Sequence, residues 1–120
     1  MPIGETHADP NPLHAGLLKP LRHWRQDDVD VRVYPDRVAL GAAAASHVAA
    51  FLRARLGSQS RVRLVLASAP SQAEFCAGLV AAQGIDWTRV TLFHMDEFIG
   101  LPAGAPQRFS LFPLGVTPYI

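Results

Sequence analysis

The spacing of hydrophobic and polar residues changes several times between residues 31 and 95. Residues 31–34 alternate apolar and polar, which predicts a short strand. After it, Asp36 is a candidate N-cap for a long, alanine-rich helix over roughly residues 37–56, and Gly57 is a natural end for that helix. Helical spacing predicts one apolar stripe on this helix, made of Leu40, Ala44, Val48, Phe51 and Leu52.

Two nearly continuous apolar runs follow, at residues 62–67 and 89–95. Such runs are typical of strands covered on both faces in a parallel sheet. Between them, the capping-box spacing of Ser71 and Glu74 predicts a helix from near Ser71 to about Gln83. The order strand, helix, strand, helix, strand predicts an α/β fold with a mainly parallel sheet. We expect a truncated Rossmann-like three-layer α/β/α arrangement, because three strands make a narrow sheet with exposed edges.

The regions that flank this pattern differ from it in character. Residues 1–30 are polar and broken by prolines, so we expect an irregular N-terminal extension, in which three histidines lack metal-ligand spacing (His7, His14 and His23). Residues 31–109 form the α/β part. Residues 110–120 are an atypical apolar tail with neither period, and a chain ending on such a run is expected to be cut off or altered.

Composition narrows the range of partners. A formal net charge of +1 gives no reason to expect nucleic acid or an anionic membrane as a partner. No stretch approaches the roughly 20 apolar residues that cross a bilayer.

Cys76 is the single cysteine, which favours a reducing cytoplasm. Its position beside Phe75 in a predicted helix favours a buried structural thiol over a nucleophile. The oligomeric state stays open, with a homo-oligomer as one alternative.

Candidate chemistry falls where two predicted strands end, because ligands of open parallel sheets bind at the carboxyl ends of the strands. The turn Ser68-Ala69-Pro70-Ser71-Gln72 lies between a strand and a helix N-terminus. Its hydroxyls and free N–H groups suit an anion, and an equally good interpretation is that Ser71 only caps the helix. The turn has neither the Gly-Lys-Ser/Thr of a nucleotide-phosphate loop nor the glycines of a dinucleotide fingerprint.

The second candidate is the acidic pair Asp96 and Glu97, directly after the second apolar run. Burial at a strand end and repulsion between adjacent carboxylates both raise a pKa toward the range of a general base. The alternative is a loop pair with Glu97 in solvent. His94 and Asp96 have the spacing to share a face, but a third ligand is not evident, so we expect no metal and no cofactor.

The run from residue 85 to residue 102, IDWTRVTLFHMDEFIGLP, closely resembles the glucosamine-6-phosphate deaminase/isomerase family. That family carries a strand ending in Asp-Glu-Tyr/Phe-Val/Ile-Gly-Leu-Pro. The resemblance extends over roughly residues 31–109 and corresponds to the N-terminal part of the family's domain. The family also includes 6-phosphogluconolactonases, whose acidic motif usually continues with Arg and Trp or Phe. Residues 98–102, FIGLP, therefore favour the deaminase side.

The resemblance implies a role for individual residues. The first acid of the motif, Asp96, corresponds to the general base that moves a proton between C2 and C1 of an open-chain amino-sugar phosphate, and Glu97 would support it. The family's phosphate loop, Thr/Ser-Gly-Gly-Thr/Ser-Pro, falls on residues 68–72. This correspondence implies that a sugar phosphate would contact the residues Ser68, Ala69, Ser71 and Gln72.

Two departures from the family's pattern bear on activity. The loop glycines are replaced by Ala69 and Pro70, and proline has no N–H to offer a phosphate. The family's Asp-Gly-His-type motif, whose His opens the sugar ring, and its phosphate-binding cations have no counterpart after Phe109. We therefore expect this chain to be weakly active or inactive alone. A lactone hydrolase and a non-catalytic truncated relative that binds a sugar phosphate remain alternatives.

Overall fold

A computed structural model describes residues 18–108, so His7, His14 and the predicted apolar tail lie outside the described residues. The strands are β1 (Arg22–Gln26), β2 (Val29–Val33), β3 (Val62–Leu66) and β4 (Val90–His94). The helices are α1 (Arg37–Ser58) and α2 (Ala73–Ala81). Single 3₁₀ turns precede α2, at Pro70–Gln72, and β4, at Trp87–Arg89. The fold is a small α/β arrangement with one parallel strand pair.

β1 and β2 form an antiparallel hairpin, paired from Arg22↔Val33 to Gln26↔Val29. Two sequence-based predictions are wrong here. Residues 22–30 are not irregular, and the strand predicted at residues 31–34 belongs to this hairpin instead of the parallel sheet. The hairpin is inconspicuous in sequence because four of the five β1 residues are exposed and its turn uses Asp27 in the left-handed region, at φ 51°.

Helix α1 begins where the sequence predicts. The Asp36 side chain accepts a hydrogen bond from the Ala39 N–H at 2.7 Å, which confirms the N-cap. The helix continues past Gly57 to Ser58. The predicted apolar stripe is wrong in part, since Leu40 and Phe51 are exposed. The buried face lies elsewhere on the helix and consists mainly of small residues: Gly41, Ala43, Ala45, Ala49, Leu52 and Leu56.

The buried face of α1 consists of small residues because α1 and α2 approach each other unusually closely. A Cβ placed on Gly41 would lie 2.5 Å from the Cβ of Glu74 and 3.0 Å from the α2 backbone at Phe75 N. A Cβ on Gly78 would lie 2.7 Å from that of Ala45. Each helix therefore contributes a glycine where the other helix needs space.

β3 and β4 are parallel neighbours joined through α2, as the two apolar runs predict. Both helices cover one face of the pair, where Leu52 and Leu79 are fully buried against Val62. The other face is open within residues 18–108, with Val65 61% exposed and Phe93 37% exposed. The expectation that both faces are covered is therefore wrong for the described residues, because α1 and α2 pack on the same side.

Burial accounts for two further residues. Cys76, on α2, is buried against Leu66 of β3 and Leu92 of β4, which confirms the prediction of a buried thiol. Trp87 is half-buried and packs against both groups of buried residues. No helix among residues 18–108 combines the length and the apolar character needed to cross a membrane.

The glycine contact between the helices can be tested by substitution. We expect Gly41→Ala to lower the free energy of unfolding by about 2 kcal/mol. Overpacking against the α2 backbone costs about 3 kcal/mol, and the better helix propensity of alanine returns about 1 kcal/mol. Chemical denaturation of both proteins measures the difference.

Gly57 provides the matched control, because a Cβ there meets nothing within 4 Å. Gly57→Ala lies in the same helix and should raise the free energy of unfolding by up to about 1 kcal/mol. Equal effects of the two substitutions would contradict the close helix contact.

Candidate functional site

The two candidate motifs lie at the same edge of the β3–β4 pair. The last register pair is Leu66↔His94, and the Met95 N–H donates to the Leu66 carbonyl at 2.8 Å. Ser68 and Asp96 each follow this register pair by two residues. The carboxyl-end placement predicted for both motifs is therefore confirmed at the level of strand register.

The turn after β3 is closed by its own backbone. Pro70 occupies the first position of the 3₁₀ turn, where a missing N–H costs nothing, and the Gln72 N–H donates to the Ala69 carbonyl at 2.9 Å. Ser71 is exposed, and its Oγ lies 3.5 Å from the side-chain nitrogen of Gln72. Ala69 and Gln72 are half-buried.

The capping box predicted for Ser71 and Glu74 is wrong. The α2 N-cap is Gln72, and it makes no side-chain capping hydrogen bond. Glu74 instead accepts a hydrogen bond from Arg37 Nε at 2.8 Å. A charged guanidinium is a stronger partner for the carboxylate than a neutral backbone N–H.

Arg37 also holds the turn itself. Its Nη2 donates to the carbonyl of Pro70, so one guanidinium in the first turn of α1 contacts both the 3₁₀ turn and the first turn of α2. The hydrogen bond from Arg37 holds the pKa of Glu74 below its ordinary value of 4.5. The candidate phosphate turn is thus fixed by an ion pair outside the turn.

Ser68 and His94 form a contact that the sequence analysis does not predict. Ser68 Oγ lies 3.0 Å from His94 Nδ1, and the contact is partly buried. From sequence, His94 is grouped only with Asp96, as residues that could share a face toward a metal. No cluster of three or more residues able to hold a metal occurs among residues 18–108. The register of the two strands would be needed to find this pair, since the residues are 26 positions apart.

The two acids of the motif differ in environment. Asp96 is exposed, so the desolvation expected for this carboxylate is not observed. Glu97 is half-buried, its Oε2 lies 3.7 Å from Arg108 Nε, and its Oε1 accepts the Phe98 N–H at 3.1 Å. Glu97 therefore anchors the loop after β4, and Asp96 is the carboxylate that a ligand can reach.

Arg108 is a further residue of this edge to which the sequence analysis assigns no role. Its side chain is 24% exposed, and its buried Nε has the Glu97 ion pair but no hydrogen bond among residues 18–108. The two residues are 11 positions apart within a loop rich in glycine and proline, so periodicity gives no signal for the pair.

Cys76 is buried near the same ends of the strands, in contact with Leu66 and Leu92. Burial raises the pKa of its thiol, which keeps it protonated and unreactive at neutral pH. It is a packing residue of this edge and has none of the environment of a nucleophile.

No family model, no curated protein and no solved structure matches this chain. The resemblance to the sugar-phosphate enzymes therefore rests on the sequence alone, chiefly on the run from residue 85 to residue 102 and on the serine turn.

The ion pair that holds the turn predicts a pH dependence. The pKa of Glu74 is lowered by folding, so its contribution to stability is full above pH 4.5 and is lost as the pH falls through the pKa of the folded state. We expect Glu74→Gln to be less stable than the unmodified chain at pH 7. This difference should shrink as the pH falls below 4.5. Urea denaturation between pH 7 and pH 3 measures it.

Arg37→Gln is the control for this titration. It removes the partner of Glu74, so it should flatten the same part of the pH profile, although it also loses the contact with Pro70. A stability difference for Glu74→Gln that stays constant through the acid range would rule out the ion pair as its source.

Proposed function

We propose that this chain carries the proton-transfer part of an amino-sugar-phosphate isomerase/deaminase site. The observation that supports it best is the shared edge, where the serine turn and the acidic motif follow the same register pair of two parallel strands. A phosphorylated open-chain sugar could then contact the turn with its phosphate and the acidic motif with its C1–C2 end. We propose glucosamine 6-phosphate as the substrate.

In this proposal Asp96 is the general base. Isomerisation moves a proton between C2 and C1 of the open-chain sugar, and one carboxylate within hydrogen-bond reach of both carbons can take it and return it. Asp96 is exposed, so it is accessible to a substrate. Glu97 is held by Arg108 and Phe98 and would act as a positioning residue for the loop that carries Asp96.

The phosphate would lie against the turn at residues 68–72. Hydroxyls of Ser68 and Ser71 and the side-chain amide of Gln72 can donate to phosphate oxygens. The Pro70 carbonyl, which would repel an anion, is already bonded to Arg37. The contact between Arg37 and this carbonyl therefore offsets one disadvantage of the proline substitution.

A second candidate, lactone hydrolysis on a phosphorylated sugar acid, is favoured by one specific observation. Ser68 Oγ and His94 Nδ1 lie 3.0 Å apart at the same edge. An imidazole in that position can accept a proton from a hydroxyl or from a water that attacks a carbonyl. Assaying glucosamine 6-phosphate and 6-phosphogluconolactone side by side separates the two reactions.

We further propose that the β3–α2–β4 unit belongs to a larger Rossmann-like three-layer arrangement. The open sheet face carries exposed apolar side chains at Val65 and Phe93, which a further layer would bury. A cytoplasmic location fits the phosphorylated substrate and the single buried thiol.

The role of Asp96 can be tested without requiring full turnover. In D₂O, a general base exchanges the C2 proton of the open-chain fraction of glucosamine 6-phosphate for deuterium, which proton NMR detects. We expect Asp96→Asn to slow protein-dependent exchange by about 10²–10⁴-fold, because an amide cannot take the proton. Sugar-phosphate binding, measured by calorimetry, should persist because the serine turn is unchanged.

Asp28→Asn is the matched control, since Asp28 is an exposed carboxylate at the turn of the β1–β2 hairpin, remote in sequence from both motifs. Its exchange rate should equal that of the unmodified chain. The proposal fails if Asp96→Asn exchanges C2 deuterium as fast as the unmodified chain, or if the unmodified chain neither binds the sugar nor promotes exchange.

A further inference from the structure

A cavity of about 650 Å³ lies away from the candidate site, at the opposite edge of the β3–β4 pair. It is formed where the last turns of α1 meet the start of β3, and we call it the arginine groove. Its lining includes Phe51, Arg55, Ser60, Arg61, Arg63 and Thr91. The candidate phosphate turn and the acidic motif contribute nothing to it.

The arginine groove is strongly positive. Three of its lining residues are arginines, and none is acidic. The side chains of Arg61 and Arg63 form neither a hydrogen bond nor an ion pair with any residue between 18 and 108. Arg61 and Arg63 are two positions apart along an extended segment, so their side chains leave the same face of the strand.

Arg55 reaches the groove from the helix. Its guanidinium carbon lies 5.1 Å from the centre of the Phe51 ring, which is a cation–π contact. A guanidinium held this way keeps its N–H groups available for an acceptor in the groove. The other polar groups of the lining, the hydroxyls of Ser60 and Thr91 among them, are neutral donors.

The carboxyl end of α1 also borders the groove, and its carbonyls would repel an anion. Arg89, which lies outside the lining, bonds to one carbonyl in the last turn of α1 and to two that directly follow the helix. Its Nη2 donates to Leu56 at 2.7 Å and to Gln59 at 2.6 Å, and its Nε donates to Ser60 at 2.9 Å. The negative end of the helix is thus compensated by a fourth arginine, and the charges of Arg55, Arg61 and Arg63 remain available.

We propose that the arginine groove is a binding site for a phosphate-bearing small molecule of about nucleotide size. Guanidinium forks match phosphate oxygens in pairs, which is why arginines without acidic partners are suited to such ligands. A volume of 650 Å³ falls within the roughly 300–1,000 Å³ of ordinary small-molecule sites. A nucleic-acid backbone would require a longer basic stripe, and the net charge of +1 does not provide one.

The test is isothermal titration of the full chain with ADP and, separately, with inorganic pyrophosphate. The groove variant is Arg61→Gln with Arg63→Gln, and both side chains are exposed and free of contacts that folding needs. The matched control is Arg22→Gln with Arg25→Gln in the hairpin, which removes the same charge elsewhere. We expect the Kd of both probes to rise at least tenfold in the groove variant and less than twofold in the control.

Three outcomes would overturn the proposal. The first is no binding of either probe by the unmodified chain with a Kd below about 1 mM. The second is an equal loss in both double variants, which indicates non-specific attraction. The third is tighter binding of a single-stranded oligonucleotide than of either probe. Because Asp96 and the serine turn are intact in all these variants, the result is independent of the proposed isomerase site.

Discussion

The close contact between α1 and α2 is the constraint on which the rest of the described structure depends. Gly41 and Gly78 let the two helices approach until a single added Cβ on either would collide with the other helix. At that distance Leu52 and Leu79 are buried together on one face of β3 and β4. The Gly41 contact also brings the first turn of α2 directly beside the first turns of α1.

That spacing also explains why Arg37 can reach the serine turn. The first turn of α1 lies beside the first turn of α2, so one side chain can bond to Glu74 and to the carbonyl of Pro70 together. Helix packing and the contacts of Arg37 therefore hold the turn from outside, while its own bond from the Gln72 N–H to the Ala69 carbonyl closes it. The turn has regular 3₁₀ geometry, with Pro70 at its first position and Ala69 directly before it.

Some elements could be predicted from the residues next to each other in the sequence. Others depend on contacts between distant parts of the chain. The Asp36 cap and the apolar runs of β3 and β4 carry their own signals, and the structure has them where the sequence predicts. The buried face of α1 could not be predicted from hydrophobicity, because it is made of glycine and alanine and leaves Phe51 exposed. At the candidate site, strand ends located the two motifs, but the Ser68–His94 and Glu97–Arg108 contacts required the fold.

Arginine explains much of how the elements are joined, because its planar fork can bond to several carbonyls at once. Arg37 bonds to Pro70, Arg53 bonds to Gln83 after α2, and Arg89 bonds to the carboxyl end of α1. Each therefore satisfies carbonyls that the ends of helices and turns leave without a partner. Arg61 and Arg63 make no such bond to a carbonyl among residues 18–108, and both line the arginine groove. Arg37, Arg53 and Arg89 therefore stabilise the fold, whereas the charges of Arg61 and Arg63 remain available to a ligand.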